Sequence, residues 1–149
     1  MIRTHPVKDT TSFMLAKVCK AHRGYVGELL AEFRLHPGQE MVLIELFERD
    51  GLRGGELAER LRVEPPTVTK MLRRLERCGL VERRPDPRDA RSFRVYLTSE
   101  GRSLEGPIAG IWEDVERRAL AGISVGERRD LHRLLAKVRA NVDPNFVAQ

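Results

Sequence analysis

The chain has 149 residues, 41% hydrophobic and 33% charged, with 27 Lys and Arg against 22 Asp and Glu, giving a net charge of +5. This is one domain's worth of chain, long enough to bury a core, and its pI of about 9.7 favours an anionic partner. No run approaches the roughly 20 apolar residues needed to cross a bilayer, and the opening MIRTHPVKDTTSF lacks the apolar stretch of a secretory signal. The expectation is a cytoplasmic protein without a membrane span. Cys19 and Cys78 lie far apart and form no metal-spaced cluster, so they are expected as free thiols.

In chain order, residues 12–34 are predicted helical, opening after Thr10, Thr11 or Ser12 as caps, with Val18, Val26, Leu29, Leu30 and Phe33 apolar. His36-Pro37-Gly38 interrupts the pattern, and Pro37 suits the first turn of a second helix carrying Met41, Val42, Ile44, Leu46 and Phe47. Asp50-Gly51 ends it. Gly54-Gly55 precede a short helix with Leu57, Ala58 and Leu61 inward. Arg62-Val63-Glu64 make a turn, and Pro65 and Pro66 open the next helix. There Val68, Met71, Leu72 and Leu75 recur at i, i+3, i+4 and i+7, a strong helical signature that Cys78-Gly79 ends.

Two strand-like runs follow, Leu80 to Arg84 and Phe93 to Thr98, with Phe93, Val95 and Leu97 alternating on one face. Between them residues 85–92 are too rich in Pro and charge for regular structure. Thr98 is an N-cap for a long helix with Leu104, Ile108, Ile111, Trp112 and Val115 in one stripe, kinked near Gly106-Pro107. Ser124 caps a last helix striped by Leu131, Leu134, Leu135, Val138 and Val142. The fold class is mainly α with a winged helix-turn-helix head and a two-stranded β-wing. The predicted organisation is a single domain, 1–149, in which residues 37–103 form the head and 12–34 and 104–142 the flanking dimerisation helices.

Positive charge is concentrated on that head. Residues 60–94 hold eleven Arg or Lys against five Glu or Asp, a surplus of six, so the rest of the chain sums to about −1. With Val68, Met71, Leu72 and Leu75 inward, 100° per residue turns Pro66, Lys70, Arg73 and Arg77 outward, with Thr67, Thr69 and Arg74 on the flanks. A helix of this kind fits the DNA major groove, where Arg and Lys meet guanine acceptors and Thr offers a hydroxyl or methyl. Thr67, Thr69, Lys70 and Arg73 are candidates for base edges; Arg74 and Arg77 lie further along and suit phosphates. Arg83, Arg84, Arg88, Arg91 and Arg94 arm the hairpin, and a protruding Arg can enter the minor groove. Asp89, two residues before Arg91, is expected to orient an Arg by a charge-assisted hydrogen bond; capping a tight turn is its alternative.

The long helices at both ends carry more apolar stripe than a head of about 65 residues needs, which points to a two-fold dimer. Such a dimer spaces two recognition helices roughly 34 Å apart, one DNA turn. His5, His22, His36 and His132 are isolated, and no Gly-rich phosphate loop, paired carboxylate site, Ser-His-Asp arrangement or metal cluster supports an enzyme or a cofactor.

The segments ELAERL at 56–61, TVTKMLRRLERCGLV at 67–81 and DPRDARSFRVYLTSEG at 86–101 resemble the MarR family of bacterial transcriptional regulators. The resemblance runs from about Leu35 to Leu104. It implies a homodimer on a palindromic double-stranded DNA operator, most simply a repressor, released by a small anionic or aromatic effector or an oxidant. It places Thr67, Thr69, Lys70, Arg73 and Arg74 in the major groove and Arg91 in the minor groove; Arg77 and Arg84 are expected on phosphate, and Arg88 and Asp89 with Arg91 on the minor-groove wing. Arg23, His36 and Trp112 are the candidate effector residues, although Trp112 also fits a core position. Relatives that sense peroxide do so with a Cys whose position falls near Thr11, so Cys19 is expected as a packing residue and Cys78 as inert.

Overall fold

The computed structural model describes residues 5–143; the predicted domain 1–149 also includes residues 1–4 and 144–149, which lie outside the described residues. A 3-10 turn at Pro6–Asp9 leads into α1 (Thr11–Leu30), and the Thr10 hydroxyl caps it by accepting from the Phe13 N–H at 3.2 Å. Another 3-10 turn, Ala31–Phe33, ends that first segment. α2 (Gln39–Glu48) starts after Gly38, whose φ of 100° only glycine adopts without strain. Pro37 therefore precedes the helix instead of occupying its first turn.

β1 (Leu52–Arg53) is a strand the sequence did not announce, being two residues long. α3 (Gly54–Leu61) and α4 (Pro65–Arg77) follow, the two prolines sitting where missing N–H groups cost nothing. β2 (Val81–Asp86) and β3 (Asp89–Leu97) make the hairpin, and β1 adds to its other edge, giving an antiparallel sheet in the order β1-β3-β2. The expectation that 85–92 is irregular fails: only Pro87-Arg88 turn, because the register shift at Pro85/Asp86 absorbs the proline and lets pairing continue to Asp86↔Asp89.

α5 (Ser99–Ser103) is capped by Thr98 and is separated by a break at Leu104 from α6 (Glu105–Ala119). The interruption thus falls earlier than Gly106-Pro107. α7 (Val125–Val142) opens in a reciprocal box, Ser124 Oγ accepting from Glu127 N–H while Glu127 Oε2 accepts from Ser124 N–H.

Residue contacts divide the chain into two compact units, one ending at Val115 and the other beginning at Glu116. The core of the first joins Val26, Leu30 and Leu35 to Val42, Leu43 and Leu46, then to Leu57, Val68, Leu72, Leu75, Val95 and Ile108. Each fully buried leucine contributes about 1.5–3 kcal/mol relative to exposure, which fixes α4 by its Val68, Leu72 and Leu75 side. Gly101 closes one corner: a Cβ there would lie 2.0 Å from the Leu80 carbonyl oxygen. In the second unit, α7 has no buried residue, and Leu131, Leu134, Leu135, Val138 and Val142 are all exposed. No helix among the described residues is long and apolar enough to cross a membrane.

Candidate nucleic-acid interface

With Val68, Leu72 and Leu75 in the core, α4 exposes Thr67, Lys70, Arg73, Arg74 and Arg77, while Thr69 is half-buried. The outward face expected from the 100° spacing is the face observed. Thr69 is less available than its position suggests, because its hydroxyl donates to the Pro65 carbonyl at 3.1 Å. Arg74 contacts the imidazole Nε2 of His36 through Nη2.

Around α4 the structure sorts the arginines into paired and unpaired. Arg83 forms a two-pronged bond to Glu76 at 2.8 and 2.7 Å and lies over the Phe93 ring at 5.0 Å. Its guanidinium is held above the ordinary value chiefly by that hydrogen bond. Arg84 pairs with Glu82 and stacks over Tyr96 at 4.4 Å. Arg60 pairs with Glu45 at 2.9 Å, and Arg102 with Asp50 at 2.8 Å. By contrast, the side chains of Lys70, Arg73, Arg77, Arg88 and Arg91 have no ion-pair partner among the described residues and are exposed. Those five cations lie on the outer face of α4 and at the wing's far end. Surface pairing largely cancels a charge's long-range field, so each of these five contributes more to the positive field of α4 and the wing than the paired arginines beside them.

Asp89 does not orient an arginine side chain. Its Oδ1 accepts from the Arg91 backbone N–H at 3.0 Å, so it closes the tight turn, the alternative reading. The carboxylate that gathers arginines is Asp86, which the sequence reading passed over. It accepts from Arg53 Nε at 2.6 Å and from the Arg88 N–H at 3.0 Å, and it forms an ion pair with Arg94 Nε at 3.3 Å, with its side chain fully buried. The Arg88 N–H, then the Arg53 and Arg94 guanidinium groups, hold this carboxyl below its usual range against the cost of burial. The Arg88 N–H is a local partner, but no local signal marks Asp86 as the carboxylate that gathers arginines, because Arg53 and Arg94 reach it only through the β1-β3-β2 order.

Of the candidate effector residues, Arg23 and Trp112 share a cavity of about 190 Å³ with His22, Val26, Pro37, Gly38, Glu40 and Met41. His36 does not line it, since its ring turns to Arg74. The Trp112 Nε1 is buried without a hydrogen-bond partner among the described residues, and its ring lies 5.8 Å from that of His22. Glu40 is buried and accepts from the Gly38 N–H at 2.7 Å. Burial pushes its carboxyl above the usual range, opposed by the Glu40 and Gly38 N–H groups and by Arg23. Cys19, expected to pack, is exposed, as is Cys78.

A helix, a turn, a basic helix lying on the core and a three-stranded sheet ending in a charged hairpin define a winged helix-turn-helix protein. The MarR family profile matches residues 35–93. The chain is 37% identical over 111 residues to the HTH-type transcriptional regulator TtmR of Methylorubrum extorquens, which covers 74% of this chain and 56% of that protein. It therefore spans little more than half the length of that relative. It is 29% identical over 126 residues to the HTH-type transcriptional repressor Rv2887 of Mycobacterium tuberculosis, covering 85% of this chain and 91% of that one. A crystal structure of the S. aureus MepR–DNA complex superposes with a TM-score of 0.82 at 26% identity, covering 89% of this chain and 98% of that one. The chain belongs to the MarR family.

Proposed function

We propose that the chain is a sequence-specific regulator of transcription that binds a palindromic double-stranded DNA operator as a homodimer and represses until a small effector releases it. The observation that carries this reading is the sorting of cations: the side chains of Lys70, Arg73, Arg77, Arg88 and Arg91 have no ion-pair partner among the described residues, on one helix face and one hairpin end. Thr67, Lys70 and Arg73 near the start of α4 suit base edges, with Thr69 contributing its methyl. Arg74 and Arg77 suit the phosphates beyond. Arg88 and Arg91 at the wing's end suit the minor groove, positioned by the turn that Asp89 closes. The DNA-bound MepR structure supports the same use of this fold.

Dimerisation has its own support in exposed apolar faces. Met14 and Val18 on α1 and the stripe Leu131, Leu134, Leu135, Val138 and Val142 on α7 expose apolar surface that a second copy would cover. For the effector, the Arg23–Trp112 cavity offers a cation and an indole N–H with no acceptor among the described residues, beside the Glu40 carboxyl, in a space that fits a small aromatic or anionic compound. The segment from His36 to Gly38 joins that cavity to the DNA face: Pro37 and Gly38 line the cavity, and His36 holds Arg74. A ligand that displaces the segment alters Arg74, which gives release a physical route.

Footprinting on the chain's own upstream region, with excess random duplex and with a panel of aromatic acids, tests the reading. Protection of two half-sites about one turn apart that survives the competitor is expected. Protection that random duplex abolishes would leave only non-specific binding and defeat it.

A further inference from the structure

Asp86 holds two arginines, and they are used differently. Arg94 is committed inward: its Nε faces Asp86 at 3.3 Å and its Nη1 donates to the Gly51 carbonyl at 2.9 Å, with 24% of the side chain exposed. Arg53 spends only Nε on Asp86, at 2.6 Å, and 43% of its side chain is exposed. Its two Nη groups have no protein partner among the described residues. A guanidinium is planar, so fixing Nε against a buried carboxylate also fixes the direction of the remaining fork. Two guanidinium groups on one carboxylate leave a net positive charge, and Arg53 is the exposed member.

The place of that fork matters. Arg53 is the last residue of β1 and immediately precedes α3, the first helix of the helix-turn-helix, which in such motifs crosses the DNA backbone. Asp86 is the last residue of β2, next to the Pro87-Arg88 turn. The salt bridge spans 33 residues of sequence and ties the start of α3 to the outer part of the wing. The exposed fork therefore lies between the two elements that DNA would engage.

We propose that Arg53 is a phosphate-contacting residue of the DNA interface and that Asp86 is the residue that positions it. The proposal rests on the DNA-binding reading above and adds to it a cation outside α4 and the wing arginines. A bridge that merely braces the wing would make Arg53 a stabilising residue with no part in counterion release.

The test uses the full chain and a duplex that the wild-type protein recovers from a random-sequence pool, with binding measured by fluorescence anisotropy across a salt series. Each phosphate contact contributes about 0.9 to the slope of log K against log salt, so Arg53→Gln should flatten the slope by about 0.9 per bound protomer. At about 0.1 M salt that is roughly an eightfold loss per protomer. Asp86→Asn separates positioning from charge. Removing a negative charge beside DNA should tighten binding if charge alone mattered, whereas loss of positioning weakens it. In the Arg53→Gln background Asp86→Asn should then no longer weaken DNA binding. Thermal unfolding identifies a variant that fails to fold; should Asp86→Asn do so, the Arg53→Gln slope decides. A wild-type slope and affinity in folded Arg53→Gln would overturn the proposal and leave the DNA reading standing. If the wild-type chain recovers and binds no duplex, the DNA reading itself fails, and the proposal with it.

Discussion

Arg91 and Arg84 lie on the same hairpin and carry the same charge, yet the structure pairs Arg84 and leaves the Arg91 side chain without an ion-pair partner among the described residues. Arg91 is exposed, its side chain has no protein partner among the described residues, and its backbone N–H is fixed by Asp89. Removing its side chain takes nothing from the fold, so Arg91→Ala should leave stability within about 0.5 kcal/mol of wild type. Its loss from the minor groove should weaken binding at least tenfold, about 1.4 kcal/mol. Arg84 is paired with Glu82 and stacked on Tyr96. It must leave both to engage DNA, and its partner's charge cancels much of its attraction. Arg84→Ala should therefore cost less than about threefold in DNA affinity while losing about 0.5–1 kcal/mol of stability from the ring contact. Anisotropy titration of one labelled duplex at a fixed salt concentration, with urea unfolding of the same preparations, measures both quantities. Equal losses of affinity for the two variants would refute the idea that ion pairing decides which arginines serve the DNA. So would an unchanged affinity in Arg91→Ala.

Three further outcomes are expected. Gly101→Ala places a methyl 2.0 Å from the Leu80 carbonyl oxygen and should destabilise by about 3 kcal/mol in urea unfolding; a loss below about 0.5 kcal/mol would mean the backbone gives way freely. Glu40 has a folded-state carboxyl raised above its unfolded value, so its contribution is present in acid and lost as pH rises through the folded value. The melting temperature of Glu40→Gln minus that of wild type should thus grow from acid to neutral pH, and a difference independent of pH would contradict the burial argument. Leu135→Glu with Val138→Glu charges the exposed stripe of α7 and should shift the mass seen by light scattering from twice 17.0 kDa to 17.0 kDa. A mass unchanged by the double substitution would remove α7 from the dimer contact.

Some of this protein was determined by sequence alone. The stripe Val68, Leu72 and Leu75 fixes which side of α4 faces the core, and therefore that Lys70 and Arg73 face out, because helical periodicity is a short-range property. Thr10, Thr98 and Ser124 mark helix starts for the same reason: a cap acts on N–H groups two or three residues away. Tertiary structure decided the rest. β1 is two residues long and exists as a strand only because Leu52 and Arg53 meet Val95 and Arg94. Residues 85–86 and 89–92 are strand because the register shift tolerates Pro85. Asp86 and Asp89 are both aspartates near a turn, yet one is buried under two guanidinium groups and the other closes the turn. Whether a cation is free depends on carboxylates that are distant in the chain and near in space, as Asp86 is to Arg53 across 33 residues. Local sequence sets where a side chain points; only the folded chain sets what it meets there.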